Sequence, residues 1–156
     1  MKKISLFFVC ILLFAFSACS DVVPIWTDSK TLNQNCLNHT EPEELLFTMK
    51  DAGNFRLEMV LEYYTQISRS SLPLFIVFEN LDNHQIQEFK ADILLKKEGK
   101  WEGQPSGYGT DYTLTCNPVS KVKLMRGKYR LRIYSNDKTT EKIYGIVRME
   151  TRLFDR

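Results

Sequence analysis

Phe55-Arg56-Leu57-Glu58-Met59-Val60-Leu61-Glu62-Tyr63-Tyr64 is the stretch that decides the fold. Apolar Phe55, Leu57, Met59, Leu61 and Tyr63 alternate with Arg56, Glu58, Val60, Glu62 and Tyr64. A period of two puts the first set on one side of an extended chain and the second on the other. An amphipathic helix needs apolar residues three and four apart instead. The stretch therefore reads as a β-strand with one buried face and one wet face.

The same period recurs downstream. Phe89, Ala91, Ile93 and Leu95 alternate with Lys90, Asp92, Leu94 and Lys96; Tyr129, Leu131 and Ile133 alternate with Arg130, Arg132 and Tyr134. Val147, Met149, Thr151 and Leu153 do so with Arg148, Glu150 and Arg152. Leu74-Phe75-Ile76-Val77-Phe78 is continuously apolar, which predicts a strand covered on both faces. Residues 45–49, 112–116 and 119–125 are shorter candidates. Turn compositions at Asp51-Ala52-Gly53-Asn54, Asn80-Leu81-Asp82-Asn83, Arg126-Gly127 and Ser135-Asn136-Asp137-Lys138 separate them. No stretch from Glu43 onward carries a helical period. About eight strands joined by short turns predict an all-β fold, an antiparallel β-sandwich, with a small β-barrel as the alternative.

The chain has 156 residues, 21 basic and 19 acidic, for a formal net charge of +2. Both surplus charges, Lys2 and Lys3, lie in the first eighteen residues, which hold no acid. The remainder is neutral in side-chain charge, which excludes a strongly basic nucleic-acid binder and an acidic solvating tail. The length fits one domain around one core.

Met1-Lys2-Lys3 followed by the unbroken apolar run Leu6–Phe16 has the pattern of a signal peptide. The run is short of the roughly 20 apolar residues that span a bilayer as a helix. Phe16-Ser17-Ala18-Cys19-Ser20 resembles a bacterial lipobox, which makes Cys19 the acylated residue, carrying diacylglycerol and a fatty acid such as palmitate. Ordinary cleavage near Ala18, leaving Cys19 as a bystander thiol, is the alternative. Two or three acyl chains anchor durably where one is marginal. On this reading residues 1–18 are the signal peptide, 19–42 a lipidated N-terminus and tether, and 43–156 the sandwich domain. One Asp follows the cysteine in Ser20-Asp21-Val22-Val23-Pro24, so the expected location is the outer membrane, facing the periplasm, with a surface-facing anchor as the other possibility.

Cys10 leaves with the signal peptide, so Cys36 and Cys116 remain as one possible disulfide in an oxidising compartment. Closing that loop stabilises by about 4 kcal/mol in the loop-entropy treatment. Two separately buried thiols are the alternative. His39 and His84 are the only histidines; Cys36-Leu37-Asn38-His39 lacks the second ligand pair of a structural zinc site, and both read as surface histidines. No metal and no cofactor are expected.

Gly99-Lys100-Trp101-Glu102-Gly103, followed by a Gly-rich stretch ending Gly107-Tyr108-Gly109, resembles the G-x-W-x-G segment of the GldH family of gliding-motility lipoproteins. Gly127-Lys128-Tyr129 is similar to that family's G-x-Y before a late strand. Gly145-Ile146 with Met149, Arg152 and Leu153 is similar to its closing strand, and Phe55–Tyr63 to its early alternating one. The resemblance covers about residues 55–154 and the lipobox. The chain departs from the family in lacking a Met-Arg pair between Tyr134 and Gly145, and in having Met149-Glu150 where Val-Gly is usual. The resemblance implies a lipid-anchored envelope protein of cell movement over surfaces without catalytic residues, and transfers one residue, Cys19.

Other chemistry is thin. Gly103-Gln104-Pro105-Ser106-Gly107 is not a G-x-S-x-G elbow, and no Walker A sequence follows the glycines. Glu58 and Glu62 share a strand face about 13 Å apart, too far for a glycosidase pair on their own. Trp26, Trp101, Tyr108 and Tyr112 are candidates for a sugar-stacking platform or for packing over the sheet ends. Lys121, Lys123, Arg126, Lys128, Arg130 and Arg132 form a basic run without an acid between residues 119 and 136. The expectation is one outward face on a hairpin turning near Gly127, attracting an acidic protein or anionic headgroups; the alternative is a solvated face balanced by Glu58, Glu62 and Glu150. The functional expectation is a non-enzymatic scaffold or adaptor lipoprotein held to the membrane and touching other envelope proteins. The alternative is a carbohydrate-binding accessory lipoprotein using Trp101, Tyr108 and Tyr112. A buried Trp101 favours the first, and a Trp101 exposed in a concave patch favours the second.

Overall fold

A computed structural model of the chain describes residues 22–106 and 110–156. The signal peptide, Cys19 and Tyr108 lie outside the described residues. In chain order the elements are β1 (Trp26–Thr31), a 3-10 turn at Asn33–Asn35, β2 (Cys36–Asn38), β3 (Glu43–Met49), β4 (Gly53–Tyr64), β5 (Ser71–Asn80) and β6 (Ile86–Leu94). Then come β7 (Lys96–Lys97), β8 (Lys100–Trp101), β9 (Gln104–Ser106), β10 (Asp111–Leu124), β11 (Gly127–Ser135), β12 (Lys142–Tyr144) and β13 (Ile146–Asp155). One sheet has the order β1-β13-β4-β10-β9 and the other β3-β11-β5-β6; β2 with β12 and β7 with β8 make two-stranded ribbons. Every ladder is antiparallel. No ladder joins the two large sheets, so the fold is an antiparallel β-sandwich and not a barrel.

The alternation in β4 does what its period requires. Phe55, Leu57, Met59, Leu61 and Tyr63 are all buried, while their neighbours reach the outer face. Opposite them Leu74, Ile76 and Phe78 of β5 and Tyr129, Leu131 and Ile133 of β11 close the core. Each such side chain contributes about 1.5–3 kcal/mol by leaving water. At one end of the core Phe47 stacks on Tyr129 at 5.4 Å between centroids and meets Trp26 at 4.8 Å.

Four expectations need correction. Residues 112–116 and 119–125 are one strand, β10, bent by irregularities between Cys116 and Val119 and between Val119 and Val122. Residues 26–31, assigned to the tether, form β1, an edge strand paired with β13 from Trp26 opposite Leu153 to Thr31 opposite Arg148. Its polar sequence hides a strand whose partner lies more than a hundred residues away. The apolar run in β5 is not covered by a second layer: Val77 is buried on the outer face, directly opposite Arg132, whose aliphatic stem can shield it. And β10 and β11 do not form a hairpin. Both edges of β11 are taken by β3 and β5, while β10 pairs with β4 and, at Asp111–Thr113 alone, with β9, so the short corner at Met125 and Arg126 carries the chain from one sheet to the other.

Local bonds hold that corner. The Asn80 side-chain oxygen accepts from the Asp82 and Asn83 amides at 2.9 and 3.2 Å, and the Asp82 carboxylate accepts from the Lys128 amide at 2.9 Å. A Cβ at Gly127 would stand 2.6 Å from that carboxylate, so the residue type follows from the turn.

Candidate functional site

The outer face of the five-stranded sheet is a ladder of alternating charge. Arg148 bridges Glu62 at 3.1 Å and Glu150 at 3.3 Å; Arg152 bridges Glu150 at 2.7 Å and Glu58 at 3.2 Å. Arg56 extends it to Glu58 at 3.5 Å and lies 4.3 Å above the Phe154 ring centroid. Glu58, Glu62 and Glu150 therefore do not balance the basic run; their partners are Arg56, Arg148 and Arg152. On the other outer face Arg132 pairs with Glu79 at 3.1 Å, and Arg130 stands 4.0 Å from Glu44.

The six basic residues consequently separate. Arg130 and Arg132 are half-buried on the four-stranded sheet and have acidic neighbours. Lys121 and Lys123 project from the other sheet, so no single outward face carries all six. Lys121, Lys123, Arg126 and Lys128 are exposed and take part in no ion pair among the described residues. Lys123, Arg126 and Lys128 stay together, at the end of the sandwich where β10 passes to β11.

The aromatic candidates also divide between the two ends. Trp26 sits with Phe47 at the end where β4 begins. At the other end Trp101 is half-buried, 5.9 Å from Tyr63 and 6.5 Å from Tyr112 between centroids. The Lys96 ammonium lies 4.8 Å over the Trp101 ring. Beneath it the Tyr63 hydroxyl donates to the Glu102 carbonyl at 2.6 Å, with the Leu95 carbonyl at 3.1 Å, which clamps the β7–β8 ribbon onto the core. Burial pushes the Tyr63 phenol up to about 12, aided by Tyr112 and Glu102. Trp101 is thus neither wholly buried nor open.

Two depressions flank the β4–β5 connection at this end. One of about 220 Å³ is lined by Gln34, Asn35, Tyr64, Gln66, Tyr144 and Gly145. The other, of about 360 Å³, includes Ile67, Ser68, Arg69, Lys96 and Trp101. Arg69 is held by an ion pair with Asp137 and donates to the Thr140 hydroxyl at 2.9 Å. Hydrogen bonds from Thr139, with Arg69 beside them, hold the Asp137 carboxyl well below the usual carboxylate range. Tyr144 projects here with 58% of its surface exposed, a feature its place in a turn-rich stretch did not signal.

The Cys36–Cys116 pairing is not formed; both thiols are free. Cys36 adjoins Asn35, whose carbonyl receives the Gly145 amide, and Ile146 beyond it opposes Tyr63. Cys116 opposes Met59 on the far side of β4, four residues along, or about 13 Å in extended chain. A disulfide cannot span that separation. Burial pushes the Cys116 thiol up to about 12, with Glu58 adding to the shift. His39 Nδ1 lies 3.0 Å from the Ser135 carbonyl, and His84 occupies an exposed turn at φ 59°. Among the described residues no group of three or more His, Cys, Asp and Glu is placed to hold a metal ion.

No family model matches the sequence, and no curated protein matches it. Solved structures do resemble the fold. Eiger TNF from S. frugiperda superposes with a TM-score of 0.50 at 10% identity, over 85% of this chain and 93% of that one. The globular domain of the zebrafish complement 1qA protein gives 0.45 at 9% identity, over 85% and 96%. CBM35 from Cellvibrio japonicus Abf62 gives 0.37 at 12% identity, over 87% and 92%. At 10% identity the likeness to Eiger TNF speaks to the fold alone.

Proposed function

We propose that this chain is a non-enzymatic lipoprotein of the outer membrane, anchored through acylated Cys19 on the periplasmic side, that works as a scaffold or adaptor by protein contact. Membership of gliding-motility machinery is the role that the resemblance suggests. One observation carries the reading: the chain enters the sandwich at one end, where the Ile25 amide binds the Leu153 carbonyl at 2.8 Å, and displays Tyr144, Tyr64, Arg69 and Trp101 at the other. Tyr, Trp and Arg are the side chains that most often dominate protein contacts. The sugar-platform alternative has less support, since Lys96 covers the Trp101 ring and Tyr63 and Tyr112 pack against it.

The test is affinity capture of the anchored protein under mild crosslinking, wild type beside Tyr144→Ala. The expected result is recovery of envelope proteins by the wild type and their loss with the variant, whose exposed site leaves the core untouched. Equal capture by both would overturn the contact site, and enrichment of glycans by a Trp101-dependent route would replace the reading with carbohydrate binding. Cys19→Ala is expected to abolish labelling by a palmitate analogue and release the protein from membranes.

A further inference from the structure

Eight large apolar side chains are exposed among the described residues, and five of them, Val22, Val23, Ile25, Ile86 and Met125, collect at one end of the sandwich. This is the end where β1, β4, β6 and β11 begin and β3, β5, β10 and β13 finish. Ile86 opposes Glu79, one residue before the end of β5, and Met125 forms the corner between β10 and β11. Together with Lys123 and Arg126 they line an open groove of about 720 Å³. On the other side of the same end Val22, Val23 and Ile25 lead into β1. Three strand spacings, about 14 Å, separate β1 from β10 across the sheet. The five side chains are between 47% and 76% exposed.

Basic groups without an ion-pair partner among the described residues occur at both ends of the sandwich, Lys96, Lys97 and Lys100 at the Trp101 end among them; at this end they surround the apolar tips. Lys50, Lys123, Arg126, Lys128 and Arg156 share the end with Asp51, Asp82 and Asp155. Asp82 is engaged by the Lys128 amide and Asp155 by the Arg156 amide. On the broad faces the arginines of β4, β11 and β13 pair with glutamates. Apolar tips within a basic rim match the boundary between acyl chains and anionic headgroups.

The chain's own covalent reach says what covers this end. On the anchor reading above, on which this inference rests, Cys19 is fixed in the bilayer. Six residues later Ile25 is bonded into the sandwich, so the connection extends at most about 21 Å. The start of β1 cannot move farther from the headgroups than that, with Met125 about 14 Å beyond it across the sheet and Tyr144 at the opposite end. We propose that this end docks on the bilayer, with Ile86 and Met125 on one side and Val22, Val23 and Ile25 on the other entering the headgroup boundary, and Lys123, Arg126 and Lys128 contacting anionic phospholipid. The docked domain stands on its end and presents the Tyr144 surface to the periplasm.

Tryptophan quenching by brominated acyl chains tests this on the acylated full chain in phosphatidylcholine vesicles with and without phosphatidylglycerol. Met125→Trp and Tyr144→Trp each add one reporter to an otherwise unchanged protein, at exposed sites on opposite ends. Quenching beyond that of the wild type is expected for Met125→Trp, stronger with phosphatidylglycerol, and none for Tyr144→Trp. Adding Lys123→Gln, Arg126→Gln and Lys128→Gln should lower the docked-to-free ratio about fivefold per charge, roughly a hundredfold in all. Equal quenching at both positions, or none at either, in protein that carries the palmitate label overturns the docking and leaves the anchor standing. Quenching of Met125→Trp in unlabelled protein overturns the anchor and keeps the docking; unlabelled and unquenched protein overturns both. Quenching that rises with the protein-to-lipid ratio assigns the face to a second copy, and charge-dependent crosslinking to a protein without quenching assigns it to an acidic partner; either result overturns the proposal.

Discussion

Replacing Tyr63 by Phe removes one oxygen from the centre of the Trp101 end of the molecule. Tyr63 is fully buried, and its hydroxyl is the clamp between β4 and the ribbon that carries Trp101. The ring still fills its site, so no cavity larger than a hydroxyl forms. What is lost is the 2.6 Å bond to the Glu102 carbonyl, and the Glu102 and Leu95 carbonyls lose a buried donor. Such a loss costs about 1–3 kcal/mol, or about 3–10 °C in the midpoint for a domain of this size. The pH dependence makes the experiment specific. A phenol that titrates near 10 unfolded and about 12 folded holds its proton more tightly in the native state. Its stabilising contribution is complete below pH 10 and is lost as the pH climbs through 12; the Phe variant has no such group. The gap between the two proteins should therefore be largest at pH 8 and close above pH 10 by about 1.4 kcal/mol per unit. Urea denaturation followed by circular dichroism at pH 8, 9, 10 and 11 measures it, and Cys116 cancels because both proteins keep it. In a Trp26→Phe background the emission of Trp101 should also move to the red as the ribbon loosens. Equal midpoints at pH 8, or a gap that ignores pH, would refute the clamp.

Mass spectrometry of the unreduced, denatured and alkylated protein should find Cys36 and Cys116 both alkylated; a crosslinked peptide pair would contradict the strand register. Gly103→Ala should destabilise by about 1–3 kcal/mol in the same denaturation assay, because its Cβ would stand 2.4 Å from the Thr113 carbonyl oxygen at φ +90°. Arg132→Glu should cost about 1–3 kcal/mol by opposing Glu79 and uncovering Val77, whereas Lys123→Glu, exposed and unpaired, should stay within about 0.5 kcal/mol of the wild type. Equal losses for these two would show that the basic run behaves as one solvated face after all.

The alternation in Phe55–Tyr64 is a local property, legible because a strand with one wet face must repeat every second residue. The same holds for the buried faces of β6, β11 and β13, for the turns at Asn80–Asn83 and Arg126-Gly127, and so for the all-β class. Membership of a sheet is not local. Lys121 and Arg132 are close in sequence, yet their strands belong to different layers because β3 and β5 fill both edges of β11 and leave none for β10. The polar sequence of β1 becomes a strand only through the ladder that β13 offers it. Cys36 and Cys116 looked pairable until the register put β4 between them. The surfaces follow the same rule: Ile86, which opens β6 in one sheet, and Met125, at the corner leaving β10 of the other, meet at one end only when the sandwich closes, because hydrogen bonds between distant strands, and not the order of residues, decide which ends coincide.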